Sequence, residues 1–221
     1  MIKKKMINPI KLLIFDCDGV LFDSRRANEE YYNHILKAVG RAPLTKAELD
    51  FVHMHSLPEC LDYLFREHPH LKEEAIKVSK ETSYSKFFPY MILEEGIKDF
   101  LDWAHQRFFI ALCTNRTTST KPLLEHFDLS KYFHLVRTAL DYPKSNPLAL
   151  ATILSHFKVR PHESIYIGDS VIDEKLCESC KVPLISYKNP SLKAIKVIYH
   201  YEELKTFLQS NGLCSYRDLA P

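Results

Sequence analysis

Residues 11–24 read KLLIFDCDGVLFDS, and their interpretation decides how the rest of the chain is read. Leu12, Leu13, Ile14 and Phe15 run without a polar interruption and stop on Asp16, with Asp18, Gly19 and Asp23 close behind. A short, continuous apolar run ended by a turn residue has the pattern of a strand covered on both faces. Two carboxylates two positions apart at its end repel each other and lose solvation. Something must compensate them, most simply a cation.

Further apolar runs recur at residues 108–113 (FFIALC), 133–138 (FHLVRT), 164–168 (SIYIG), 183–187 (PLISY) and, more weakly, 196–200 (KVIYH). Helical patterns fall between them, over 95–106, 118–128, 146–157 and 171–180. Strand alternating with helix predicts an α/β fold with a doubly wound parallel sheet. Residues 24 to about 90 break that rhythm, with amphipathic helical stretches and no convincing strand. The expected organisation is an α/β core from residues 1–22 and 91–221, with an α-helical cap, residues 23–90, inserted after the first strand.

The 221 residues carry 30 basic and 28 acidic side chains, a net charge of +2. That balance argues against a nucleic-acid or membrane-surface partner. The opening MIKKKMINPIKLLIF runs into Asp16 without a small-residue cleavage site, so no signal peptide is expected and the cytoplasm is the expected location. Cys17, Cys60, Cys113, Cys177, Cys180 and Cys214 lack the spacing of a disulfide framework and read as reduced thiols; the CESC pair at 177 and 180 has no second pair to complete a zinc site. Nothing in the sequence decides between monomer and homodimer.

Ligands of doubly wound sheets bind beyond the carboxyl ends of the strands. Just past those ends stand Asp16 and Asp18; Thr114, Asn115 and Arg116; Lys144; and Asp169, Ser170 and Asp173. Hard oxygens of this kind suit Mg²⁺, held by Asp16, Asp169 and a backbone carbonyl near Asp18. Asp16 is then placed as a nucleophile toward phosphorus and Asp18 as the acid and base, with Thr114 and Lys144 on the phosphate oxygens. Neither G-x-x-x-x-G-K-[ST] nor G-x-G-x-x-G occurs anywhere in the chain.

FDCDGVLFDS, LCTNR, Lys144 within YPKSNPLAL, and YIGDSVIDEKL, in that order, resemble the haloacid dehalogenase superfamily, in its phosphoglycolate phosphatase-like branch. The helical insertion falls where that branch carries its cap. The resemblance implies a magnesium-dependent phosphatase of small phosphorylated metabolites. It makes Asp16 the nucleophile, Asp18 the acid and base, Thr114 a phosphate ligand, Lys144 the charge clamp, Asp169 a metal ligand and Asp173 a support of the metal. Asn115 and Arg116 join Thr114 and Lys144 as candidate substrate ligands, although an arginine such as Arg25, Arg26 or Arg116 more often solvates a surface. The chain departs from the branch at Ser145, where proline commonly follows the lysine, and at Gln106, Arg107 and Cys180, near positions usually held by glycine.

Structural roles compete at several of these positions. Asp23 or Ser24 suits a helix cap, Ser145 or Asn146 can cap a helix starting at Pro147, and Ser170-x-x-Asp173 matches a capping box. His53 and His55 lie on different helix faces and make a poor chelate, and Tyr31 and Tyr32 read as cap core. A sugar phosphomutase of the same superfamily would share these core motifs, and a non-catalytic interaction protein on a phosphatase core is the alternative from another class.

Overall fold

A computed structural model describes residues 10–210. β1 (Leu12–Phe15) is followed by a two-residue strand, β2 (Phe22–Asp23), and four helices, α1 (Arg25–Ala38), α2 (Lys46–Met54), α3 (Leu57–Leu64) and α4 (Pro69–Glu81). A 3₁₀ turn over Tyr84–Tyr90 leads to β3 (Ile92–Leu93). The chain then alternates through α5 (Ile97–His105), β4 (Phe109–Cys113), α6 (Thr120–His126), β5 (Leu135–Arg137), α7 (Leu148–Phe157), β6 (Ser164–Gly168), α8 (Val171–Cys180), β7 (Leu184–Tyr187), β8 (Lys196–Ile198) and α9 (Tyr201–Ser210).

Six strands form a parallel sheet in the order β5-β4-β1-β6-β7-β8. β1 pairs with β4 on one side and β6 on the other, so the winding reverses at the end of β1, where Asp16 stands. That reversal opens the crevice in which such sheets bind ligands. All four β1 residues are fully buried. Leu13 and Phe15 join the core shared with α5, α6, α9 and the cap helices, and Leu12 and Ile14 join the core shared with α7 and α8. Covering both faces explains why the strand shows no polar alternation.

The helical segment has its own start signals. Thr45 with Glu48 and Ser56 with Glu59 form capping boxes at α2 and α3, satisfying orphan amides at each helix start. Tyr31 and Tyr32 are buried, as the helical pattern of α1 requires, and pack in the same core cluster as Leu61, Leu64 and Phe87.

Three local expectations need correction. β2 and β3, strands that the sequence pattern did not mark, pair antiparallel, Phe22 opposite Leu93 and Asp23 opposite Ile92. Ser24 holds the N-cap position of α1, but its hydroxyl donates to Asp18 instead of capping the helix, while the Asp23 carboxylate accepts from the Arg25 amide at 3.2 Å. α7 starts at Leu148, with Pro147 before it; Asn146 Oδ1 accepts from the Leu148 amide at 3.0 Å, and the Ser145 hydroxyl reaches Glu59 in the cap.

Candidate active site

The parallel strands deliver their carboxyl ends to one edge. Asp16 Oδ1 accepts from the Cys17 amide at 2.6 Å and from Lys144 Nζ at 2.7 Å. The same ammonium lies 2.7 Å from Asp173 Oδ1, and all three side chains are buried. Asp173 also accepts from the Tyr166 hydroxyl, from the Ser170 hydroxyl and amide, and from the Asp169 amide. The expected capping box is present at α8, joined to the ammonium by the same carboxylate. Burial pushes the Asp173 carboxyl up, but Lys144 and these donors outweigh it and hold it low.

Asp169 is different. No hydrogen-bond or ion-pair donor among the described residues reaches its carboxylate, which lies against Gly19. A Cβ at position 19 would sit 1.9 Å from Asp169 Oδ2, and the backbone there has φ +74°. Glycine is therefore required twice, for conformation and for the carboxylate's approach. Asp16, Asp169 and Asp173 each place an oxygen within 4.8 Å of the others. Among the described residues, Lys144 is the one cation paired to this trio. Burial, only partly offset by Lys144, pushes Asp16 up to about 7, and burial with Asp16 and Asp173 nearby pushes Asp169 well up. An all-oxygen donor set with excess negative charge and an unpartnered carboxylate fits a divalent cation.

Asp18 turns away from that trio. Arg116 Nε and Nη2 grip its two oxygens at 2.8 and 2.6 Å, and Ser24 donates as a third partner. Burial raises the Asp18 pKa, yet the guanidinium overrides it and holds the carboxyl below the ordinary range. As a metal ligand, Asp18 is left with its backbone carbonyl.

The substrate candidates fare unequally. Thr114 is buried, its oxygen accepting from the Arg116 amide at 3.1 Å, and no acceptor among the described residues takes its hydroxyl proton. The carboxamide of Asn115 is engaged at both ends: Oδ1 accepts from the Lys144 amide and Nδ2 donates to Met54 O, each at 2.8 Å. It joins the end of α2 to the lysine loop, with the carbonyl oxygen and one N–H of the amide engaged. Arg116, read from sequence as a substrate ligand or a solvated arginine, is buried and committed to Asp18.

A cavity of about 450 Å³ separates this edge from the helical segment, lined by Asp16, Asp18, Thr114, Arg116 and Lys144 on one side. The opposite wall holds a chain that sequence reasoning missed. Arg116 Nη2 donates to the Tyr84 hydroxyl at 3.2 Å, Tyr84 donates to Asn28 Oδ1 at 2.5 Å, and Asn28 Nδ2 meets His53 Nδ1 at 3.2 Å. One signal was available. Asn28 shares the apolar stripe of α1 with Tyr32 and Ile35, and a buried amide needs partners.

Comparison with known proteins shows the family. The haloacid dehalogenase-like hydrolase family model matches residues 13–186. A phosphoglycolate phosphatase of Rhodobacter capsulatus is 31% identical over 187 residues, covering 79% of this chain and 83% of the relative. Among solved structures, a haloacid dehalogenase-superfamily hydrolase of subfamily IA, variant 1, from Geobacter sulfurreducens is 36% identical with TM-score 0.73, covering 90% of this chain and 96% of that one. A haloacid dehalogenase-like family protein from Streptococcus pneumoniae shares the fold at TM-score 0.80 with 14% identity, covering 90% and 99%. The chain belongs to the haloacid dehalogenase-like hydrolases.

Proposed function

We propose that this hydrolase, a phosphoric monoester hydrolase by its family and relatives, cleaves a small phosphorylated metabolite with Mg²⁺ through an aspartyl phosphate on Asp16. The observation that carries the reading is the state of Asp16. One oxygen, Oδ1, is pinned by Lys144 and the Cys17 amide, which leaves Oδ2 to attack. Asp16, Asp169 and the Asp18 carbonyl would hold the metal, with Asp173 fixing Lys144 beside it. Magnesium, when bound, supplies the charge that keeps Asp16 ionised and offsets the incoming phosphate dianion.

Lys144 and the Thr114 hydroxyl meet phosphate oxygens. Asp16 Oδ2 bonds to phosphorus as the ester P–O bond breaks, and the leaving oxygen takes a proton from Asp18. Asp18 then removes a proton from water, whose oxygen attacks phosphorus, releases inorganic phosphate and restores the Asp16 carboxylate. Arg116 favours the ionised, water-activating form of Asp18, so protonation of the leaving group requires that pair to loosen. Phosphate release should be measured over a panel of phosphometabolites, with and without magnesium, for wild type and Asp16→Asn. Turnover that needs magnesium and falls by roughly 10⁴-fold or more in the variant is the expected result; robust turnover by the variant or by metal-free protein rules the mechanism out. No helix among the described residues is long and apolar enough to cross a membrane, and reduced thiols suit a cytoplasmic enzyme; Cys214 lies outside the described residues.

A further inference from the structure

The chain from Arg116 to His53 has a forced direction. A guanidinium can only donate, so the bond from Arg116 Nη2 occupies a lone pair of the Tyr84 hydroxyl, over whose ring the guanidinium lies at 4.6 Å. The Tyr84 hydroxyl has its second contact with the carbonyl oxygen of Asn28, which can only accept. The tyrosine proton therefore points at Asn28 Oδ1, and the Asn28 amide group faces His53. A donating amide at 3.2 Å makes His53 Nδ1 the acceptor and places the imidazole proton on Nε2. His53 lines the cavity, and its Nε2 has no partner among the described residues. Arg116 thus sets the tautomer of an imidazole three hydrogen bonds away.

The charge of this wall narrows what it can bind. Arg116 is already neutralised by Asp18, and Arg25 of α1 is paired with Asp50. Arg25 does not line the cavity, and Lys80, the lysine of the helical segment that does, is exposed to solvent. A carboxylate lodged against His53 would be desolvated without a buried counter-ion, whereas a hydroxyl or ether oxygen needs only a neutral donor. Serine hydroxyls at positions 79, 83 and 85 line the same wall.

We propose that His53 is a specificity-determining residue, its Nε2–H donating to an oxygen of an uncharged, hydroxyl-bearing leaving group. The proposal rests on the phosphatase reading for its substrate, but the tautomer is measurable without one. Long-range ¹H–¹⁵N spectra of the ¹⁵N-labelled protein, with the His53 signals assigned by their loss in His53→Gln, should show the Nε2–H form. Tyr84→Phe, which removes the proton that orients Asn28, should shift His53 toward the Nδ1–H form. In parallel, kcat/KM is measured on glucose 6-phosphate, glycerol 3-phosphate, phosphoglycolate and p-nitrophenyl phosphate. Wild type should favour a hydroxylated substrate over phosphoglycolate. In His53→Leu the ratio of its kcat/KM to that of p-nitrophenyl phosphate should fall by about tenfold or more, the cost of losing a desolvated hydrogen bond, and His53→Gln, which keeps a donor, should recover most of it. An Nδ1–H tautomer in wild type, a preference for phosphoglycolate, or an unchanged ratio in His53→Leu would overturn the inference alone. Absence of turnover on every ester, p-nitrophenyl phosphate included, would instead overturn the phosphatase reading beneath it.

Discussion

On the core side of the cavity, Lys144 lies buried between Asp16 and Asp173, and the buried Arg116 lies on the half-buried Asp18. On the opposite side the same space meets two imidazoles, tyrosines, serine hydroxyls and the exposed Lys80, and the Arg25–Asp50 pair of the helices stays near the surface, its side chains 43% and 49% exposed. Buried ion pairs carry a desolvation penalty that their attraction need not recover. Around this cavity their place at the strand ends separates two tasks, holding a highly charged phosphorus centre and sorting what is attached to it.

The contrast can be broken by experiment. Asp18→Asn should cut turnover by about 10²–10⁴-fold, the range for losing a general acid–base group, with phosphate release as the readout; an effect below tenfold would leave Arg116–Asp18 a structural pair. Lys144→Met leaves Asp16 and Asp173 facing each other unpaired, so denaturant melts should show a loss of about 3–5 kcal/mol. The matching change on the exposed side, Arg25→Met, should cost under about 1 kcal/mol. Equal losses would erase the distinction between the walls. Gly19→Ala drives a methyl into the Asp169 carboxylate, and magnesium titrations should show about 10–100-fold weaker metal activation, as when a ligand's support is removed.

The smallest effect concerns pH. Asp16 is raised from 3.8 to about 7 by burial, so between those values the folded protein holds a proton that the unfolded chain has released. Its contribution to stability is complete below 3.8 and is lost as pH rises through about 7. In chelator, the Tm of wild type should therefore fall relative to Asp16→Asn over that window. Magnesium should flatten the difference by keeping Asp16 ionised. A flat difference without metal would mean that Lys144 alone compensates the cluster.

The core edge was legible because topology does the convergence. Once β1, β4 and β6 are read as parallel strands, Asp16, Thr114 and Asp169 reach one edge whatever the side chains do, and Lys144 follows from the loop before α7. The pairing of Asp18 with Arg116 spans 98 positions and depends on rotamers. The relay through Tyr84, Asn28 and His53 depends on how the helices dock, which periodicity does not encode. β2 and β3, two residues each, are too short for any repeat to announce them. Asn115 looked like a ligand by position alone, and only the cap's approach to it through Met54 reveals a joint.

The β2–β3 pair has a consequence for engineering. Asp23 and Ile92 face each other across an antiparallel pair, which sets their Cα atoms about 5 Å apart. Everything between them is therefore a graft with adjoining ends. A two-residue hairpin turn has the span to close the gap, so exchanging the segment between them for another would reroute no strand of the large sheet.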